Sequence, residues 1–376
     1  MFLMQNGRGN EVRPYGLLHS QALKVSDEYV GNRKVCIVDT GYDRSHPDLP
    51  SGDWVTGSSA SKKVPWCEDG IGHGTHIAGI IGGLGNNGRG VMGVIRNGML
   101  KLHIVRVFDD KKKWVWKSRM IAAVEECAKN DSNIISLSIG SSKPTNHVMS
   151  VAAVNASGRK AKFSSFNDKI DIAAAGVNVY STLPNNQYGF MSGTSYSAPY
   201  VVGVAALIWS FDTSKSAKDV WDALVTSAND KGQPGYDEKF GHGTVNALGA
   251  AKILGYQPPC TDNPVNWSLN LFTLSVDCDW FYVNESFCSW FGGDDYIGTN
   301  GQIGNIACCV CNGGTRTAAD NILKACKDDD DWYDSDGERF NCEWYSQKDT
   351  RCSKFGRRFR NFGKTASEVC CICKDK

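Results

Sequence analysis

The chain has 376 residues, with 41 basic and 40 acidic side chains and a formal net charge of +1. That balance gives no general argument for nucleic acid or an acidic membrane surface, and no nucleic-acid partner is expected. No apolar run reaches the roughly 20 residues of a membrane-spanning helix, while the length is enough for two domains.

Cysteine usage divides the chain. Of 15 cysteines, only Cys36, Cys67 and Cys127 precede residue 260. The other twelve lie between Cys260 and Cys373. Such density predicts disulfides and an extracellular or lumenal setting. Clustered zinc is disfavoured, because CC-x-C is a poor ligand spacing and the tail contains no histidine. Met1–Pro14 has neither a sustained apolar region nor a basic start, so no export signal is read there, in tension with the cysteine content.

Taken in order, Glu11–Tyr29 predicts a short helix packed on the main domain. KVCIV at Lys34–Val38 predicts a strand buried on both faces of a parallel sheet. It ends in Asp39-Thr40-Gly41. An acid at the carboxyl end of a buried strand is where open α/β folds place chemistry, although it could equally cap the next turn. Residues 50–70 are polar and read as a surface excursion. GHGTH at Gly72–His76 then feeds the apolar run Ile77–Ile81, placing His73 at a helix start between glycines that permit close approach. His73 and His76 lack the H-E-x-x-H pattern, which argues against zinc hydrolysis. Lys117–Lys129 predicts a helix presenting Met120, Ile121, Val124 and Cys127 to the sheet. Cys127 is expected to bridge to Cys67, leaving Cys36 as a buried thiol in its strand.

Ile134–Ile139 and Val148–Val154 read as two further buried strands. Only Gly140–His147 separates them, too short for the crossover that parallel neighbours need. In Gly189–Trp209, a small-residue turn carries Ser195 into an apolar helix. The unpaired amides and positive dipole end at such a helix start suit a developing oxyanion, although Ser there could simply be a cap. Ala217–Thr226 predicts a short helix, and Val245–Ile253 closes the domain.

An acid after one strand, an imidazole at a helix start and a hydroxyl at a second helix start supply an acyl-transfer triad. Their chain order, Asp-His-Ser, is one recognised solution to that geometry. VCIVDTG, GHGTHIAG and GTSYSAP resemble the Asp, His and Ser motifs of the subtilisin-like serine proteases, the subtilases. The resemblance covers residues 11–255 and implies an α/β fold, a parallel sheet with helices on both faces. It implies Asp39, His73 and Ser195 as the triad. Ser138, Ile139 and Gly140 would be the strand that pairs with an extended polypeptide substrate. It also implies that LGNNGRGV at Leu84–Val91 is a calcium loop, with Glu11, Asp48 and Asn87 as side-chain ligands. The alternative for that stretch is a Gly/Asn-rich surface turn. No organic cofactor is expected.

Two departures stand out. Tyr196 replaces the Met that usually follows the nucleophile. In the family, a helix, another strand and a loop follow the substrate strand, and the loop ends in a Gly-Asn pair whose Asn side chain donates to the oxyanion. No equivalent stretch is found, so the fold is expected to lack one strand–helix unit after residue 140. Asn155 is not assigned that role, because its context matches a later strand and turn. The expected function is a serine-type endopeptidase working through an acyl-enzyme. The alternative is a catalytically impaired relative that binds peptide or carbohydrate outside the cell.

Beyond a Gln257-Pro258-Pro259 linker, the tail repeats itself as two six-cysteine modules, 260–311 and 326–373. Both contain C-[DE]-W-[FY] and close on CC-x-C. Modules this small rely on bridges in place of a large core. Trp280, Tyr282, Trp344 and Tyr345 either stack on a glycan or protein partner or form each module's modest core. Asn155, Asn266 and Asn284 begin glycosylation sequons.

Overall fold

The structure is a computed structural model of the full chain. It describes residues 11–60, 64–109, 117–138 and 148–256, together with the backbone of short strands beyond 260. The chain divides into two compact units, Met1–Pro258 with Asn266–Gly313, and Pro259–Val265 with Gly314–Lys376. In the tail, Ser268–Leu271 pairs with Leu274–Asp277, Cys260–Thr261 with Thr315–Arg316, and Arg360–Asn361 with Lys364–Thr365. The rest of the two cysteine-rich modules, with their expected boundaries and aromatics, lies outside the described residues.

The segment 11–29 forms one short helix, α1 (Tyr15–His19), followed by single helical turns at Ala22–Lys24 and Val30–Asn32. The sheet is built around β1 (Lys34–Asp39), with β2 (Val55–Ser59), β3 (Lys101–Arg106) and β4 (Ile134–Leu137) in the order β2-β3-β1-β4, all parallel. Side chains of β1 alternate between two apolar layers. Val35 and Ile37 pack with residues of α2 (His73–Gly82) and α4 (Ala198–Ser210), whereas Cys36 and Val38 pack with Ala123 and Cys127 of α3 (Lys117–Lys129). Cover on both faces is why this strand reads as an unbroken apolar run.

β2 corrects the expectation that 50–70 is only a surface excursion. Val55 is its one buried residue and the rest is polar, the pattern of an edge strand whose pairing comes from the backbone.

The expected Cys67–Cys127 bridge is also corrected. Cys36 and Cys127 form the disulfide, with Cα atoms 5.7 Å apart, and Cys67 is the free cysteine among the described residues. The reason lies in the strand's alternation: Cys36 points to the face that α3 covers. Cross-linking residues 91 positions apart contributes about 4–5 kcal/mol in the chain-entropy view. Replacing both Cys36 and Cys127 by Ala is therefore expected to lower the melting temperature by at least several degrees, as calorimetry would read. An unchanged melting point would contradict the bridge. On the same helix Ile121 is 62% exposed, so the sheet-facing side is narrower than expected and centred on Ala123 and Cys127.

β5 (Val151–Val154) pairs in parallel with β6 (Ile172–Ala175), and β7 (Val179–Leu183) forms an antiparallel hairpin with β8 (Gln187–Met191). Among the described residues no strand pairs with the outer edge of β4. Two further helices precede residue 256. α5 (Ala217–Thr226) starts in a Ser216–Asp219 capping box, and α6 (Ala247–Ile253) is capped by Asn246.

Candidate active site

Asp39 ends β1 and is 1% exposed. Its Oδ1 accepts from the Thr40 amide at 2.8 Å and lies 2.7 Å from Nδ1 of His73, the first residue of α2. An ionised carboxylate can only accept, so Nδ1 carries the proton and Nε2 is left as the basic nitrogen. His73 keeps 25% of its side chain exposed, enough to meet a substrate.

The close approach of α2 to β1 depends on Gly74. A Cβ there would stand 2.2 Å from the Gly41 carbonyl oxygen and 3.2 Å from Asp39 Cβ. The Gly74 amide instead donates to Thr40 Oγ1 at 2.9 Å.

Asp69 secures the same helix start, a role that sequence reading missed. One of its oxygens accepts from the Gly72 amide at 2.8 Å and from Thr40 Oγ1 at 2.9 Å. The other accepts from the Thr75 amide at 2.9 Å and the Thr75 hydroxyl at 2.8 Å. A buried carboxylate thus satisfies amides left open at the helix N-terminus. The signal available in sequence was an Asp three residues before Gly72.

His76, the other histidine of the motif, lies deeper in α2. It is fully buried, its Nε2 meets the Gly189 carbonyl at 3.2 Å, and burial pushes its pKa down to about 4.

Ser195 sits in the helical turn Thr194–Tyr196, between Gly193 and α4. Its Oγ donates to the Ser138 carbonyl at 3.2 Å, while Ser138 Oγ donates to the Ser195 carbonyl at 3.0 Å. The turn therefore abuts the carboxyl end of β4. The next residue, Tyr196, packs its ring 5.4 Å from that of His73 and 4.8 Å from that of His76. Asp39 and His73 are in direct contact, and the Ser195 turn lies against them through Tyr196. Of the expected substrate strand, Ser138 adjoins Ser195; Ile139 and Gly140 fall outside the described residues.

Comparison with known proteins decides the family. The model of the Subtilase family, Peptidase_S8, matches residues 31–147 and 141–243. This chain belongs to the subtilase family. It is 33% identical over 283 residues to Subtilisin NAT of Bacillus subtilis subsp. natto, covering 64% of this chain and 71% of that one. It is equally similar to a subtilisin of Bacillus pumilus, 33% over 283 residues, covering 64% of this chain and 98% of that one. The aligned span exceeds the share of this chain that enters it, so both relatives carry residues without a counterpart here. A psychrophilic subtilisin-like protease, Apa1, from the Antarctic psychrotroph Pseudoalteromonas sp. AS-11 shares the fold. Its TM-score is 0.60 at 22% identity, covering 64% of this chain and 97% of that one. The subtilase family works by a serine-protease mechanism, and the parallel sheet flanked by helices is its fold.

Elsewhere in this subtilase, Glu11 and Asp48 are both buried beside the loop 84–91. Glu11 accepts from the Asn87 amide at 3.1 Å; Asp48 accepts from Asn87 Nδ2 at 2.6 Å and the Val91 amide at 2.8 Å. Burial, with Glu11 adding to it, pushes Asp48 up to about 6 against the hydrogen bonds it accepts. Among the described residues no three His, Cys, Asp or Glu side chains gather as a metal cluster. Asn155 uses its Oδ1 within its own turn, accepting from the Ser157 and Arg159 amides, both at 3.0 Å.

Proposed function

We propose that this subtilase is a serine endopeptidase whose triad is Asp39, His73 and Ser195. The observation that carries the proposal is the 2.7 Å Asp39–His73 contact at the carboxyl end of β1, with the Ser195 turn packed against it. Ser195 Oγ attacks the scissile carbonyl carbon while His73 Nε2 removes its proton. His73 then returns that proton to the leaving amine, and Asp39 stabilises the imidazolium. Water, activated by the same imidazole, releases the acyl group. The substrate is an extended polypeptide that adds as a strand along Ser138, Ile139 and Gly140, with its backbone supplying most of the affinity. The test is hydrolysis of an unfolded protein substrate by the purified chain, blocked by a serine-reactive inhibitor.

A second reading, a subtilase that holds peptide or carbohydrate with little or no cutting, is favoured by one stretch. The family match falls into two pieces that meet at residues 141–147, and β4 and β5 belong to separate sheets. Both fit the loss of the strand–helix unit that carries the oxyanion Asn. Removing that donor alone costs about 10²–10³ in turnover, a magnitude known from subtilisin. A folded sample that retains peptide and releases no product would favour this reading.

Glu11, Asp48 and Asn87 are proposed as the side-chain share of a structural calcium site. Two buried carboxylates facing one loop suit a hard cation. Without calcium, the folded state holds an Asp48 proton that the unfolded chain gives up above about pH 4. That contribution is complete below pH 4 and lost as pH rises through about 6. Its size is about 2–3 kcal/mol. The metal-free melting temperature is therefore expected to fall between pH 4 and 6, and calcium to restore it at pH 7. Asp48→Asn should flatten the pH dependence and abolish the calcium response. A calcium response undiminished in Asp48→Asn would contradict the site.

The Cys36–Cys127 bridge and the cysteine-rich tail fit work outside the reducing cytosol. Among the described residues no helix is long and apolar enough to cross a membrane. A glycan or protein partner for the tail belongs to the same extracellular reading.

A further inference from the structure

We propose that Tyr196 is a positioning residue for the imidazole of His73, an inference that rests on the triad reading above. The Tyr196 ring is 8% exposed and touches two histidines at once, His73 at 5.4 Å and His76 at 4.8 Å between centroids. Its far end is anchored, because the hydroxyl donates to Met191 Sδ at 3.0 Å. His76 is itself pinned through Nε2 to the Gly189 carbonyl, and Met191 and Gly189 both belong to β8. The ring is therefore clamped between a fixed histidine and a strand, and it presents a rigid wall to His73.

A wall is useful at this place. The Nδ1 contact to Asp39 sets the distance and direction of the imidazole, and a packed ring beside it restricts rocking about that axis. Asp39 Oδ2 is buried and has no hydrogen-bond partner among the described residues, so the carboxylate grips His73 through Oδ1. Tyr196 limits that rocking and holds the orientation of Nε2 beside the turn that carries Ser195. A displacement of about 1 Å in such a group can cost on the order of 10²-fold in rate. Tyr196 follows Ser195 in the chain, so one turn carries the nucleophile and the stop for its base.

The test compares Tyr196→Phe and Tyr196→Leu in the full chain. Two readouts are used: steady-state kinetics on a peptide, and the low-field NMR signal of the His73 Nδ1 proton. Phe keeps the ring and loses only the Met191 link. It should hold turnover within about threefold and keep the low-field signal. Leu keeps apolar volume and removes the wall. It should lower kcat by roughly 10–100-fold with KM little changed, and its Nδ1 proton should broaden through exchange with water. Leu with wild-type kcat and an unaltered signal would overturn the proposal. So would a loss matched in Phe, which would place the effect in the hydroxyl. If no form of the chain cleaves peptide, the NMR comparison still decides: a signal lost only in Leu supports positioning while the endopeptidase reading fails. A signal unchanged in all three defeats the positioning.

Discussion

Ser195→Ala is expected to lower peptide hydrolysis by about 10⁶-fold while leaving the fold intact, the scale known for the subtilisin nucleophile. Neither neighbouring serine is placed to take over the attack. Ser138 Oγ lies on the other side of the reciprocal pair and is committed to the Ser195 carbonyl at 3.0 Å. Ser197 is fully buried. The substitution removes one hydrogen bond, from Ser195 Oγ to the Ser138 carbonyl, and no apolar contact of the core. The melting temperature should therefore move little while activity vanishes. Wild-type turnover retained in the Ala protein would remove Ser195 from the mechanism.

Asp39→Asn is expected to cost about 10⁴-fold in kcat at neutral pH. The side chain is nearly isosteric and its site is closed, so the geometry should persist. What changes is the proton. A carboxylate forces Nδ1 of His73 to donate, whereas an amide NH₂ at the same place favours an unprotonated Nδ1. The proton then sits on Nε2, the atom that must act as base. KM should change little, because Asp39 is 1% exposed and does not reach substrate. A modest loss with wild-type pH dependence would show that Asp39 does not set the tautomer.

The parts of this molecule legible in sequence are those fixed by short-range pattern. β1 betrays itself because both its faces are covered, and α5 because Ser216 and Asp219 form a local capping box. Asp39 stood out because it ends a buried strand and His73 because it opens a helix, whereas Ser195 lies in a turn just ahead of α4. What escaped depends on partners far along the chain. Asp69 joins the start of α2, at Gly72 and Thr75, to Thr40 after β1, and that link to Thr40 spans 29 residues. β2 is polar apart from Val55 and is held by backbone pairing to β3. The bridge partner of Cys127 required knowing which face of β1 lies under α3. The alternation of Val35, Cys36 and Ile37 could have supplied that had the helix been placed first. The short link after Gly140 was visible as a length too small for a crossover, and residues 139–147 lie outside the described residues.

The most direct measurement is covalent labelling with a fluorophosphonate probe, which reacts only with a serine activated by its neighbours. The modified peptide would then be located by mass spectrometry in wild type, Ser195→Ala and His73→Ala. The account predicts one adduct, on Ser195, absent from both variants at equal folding. A folded wild-type chain that takes no probe, or takes it equally well without His73, would contradict it.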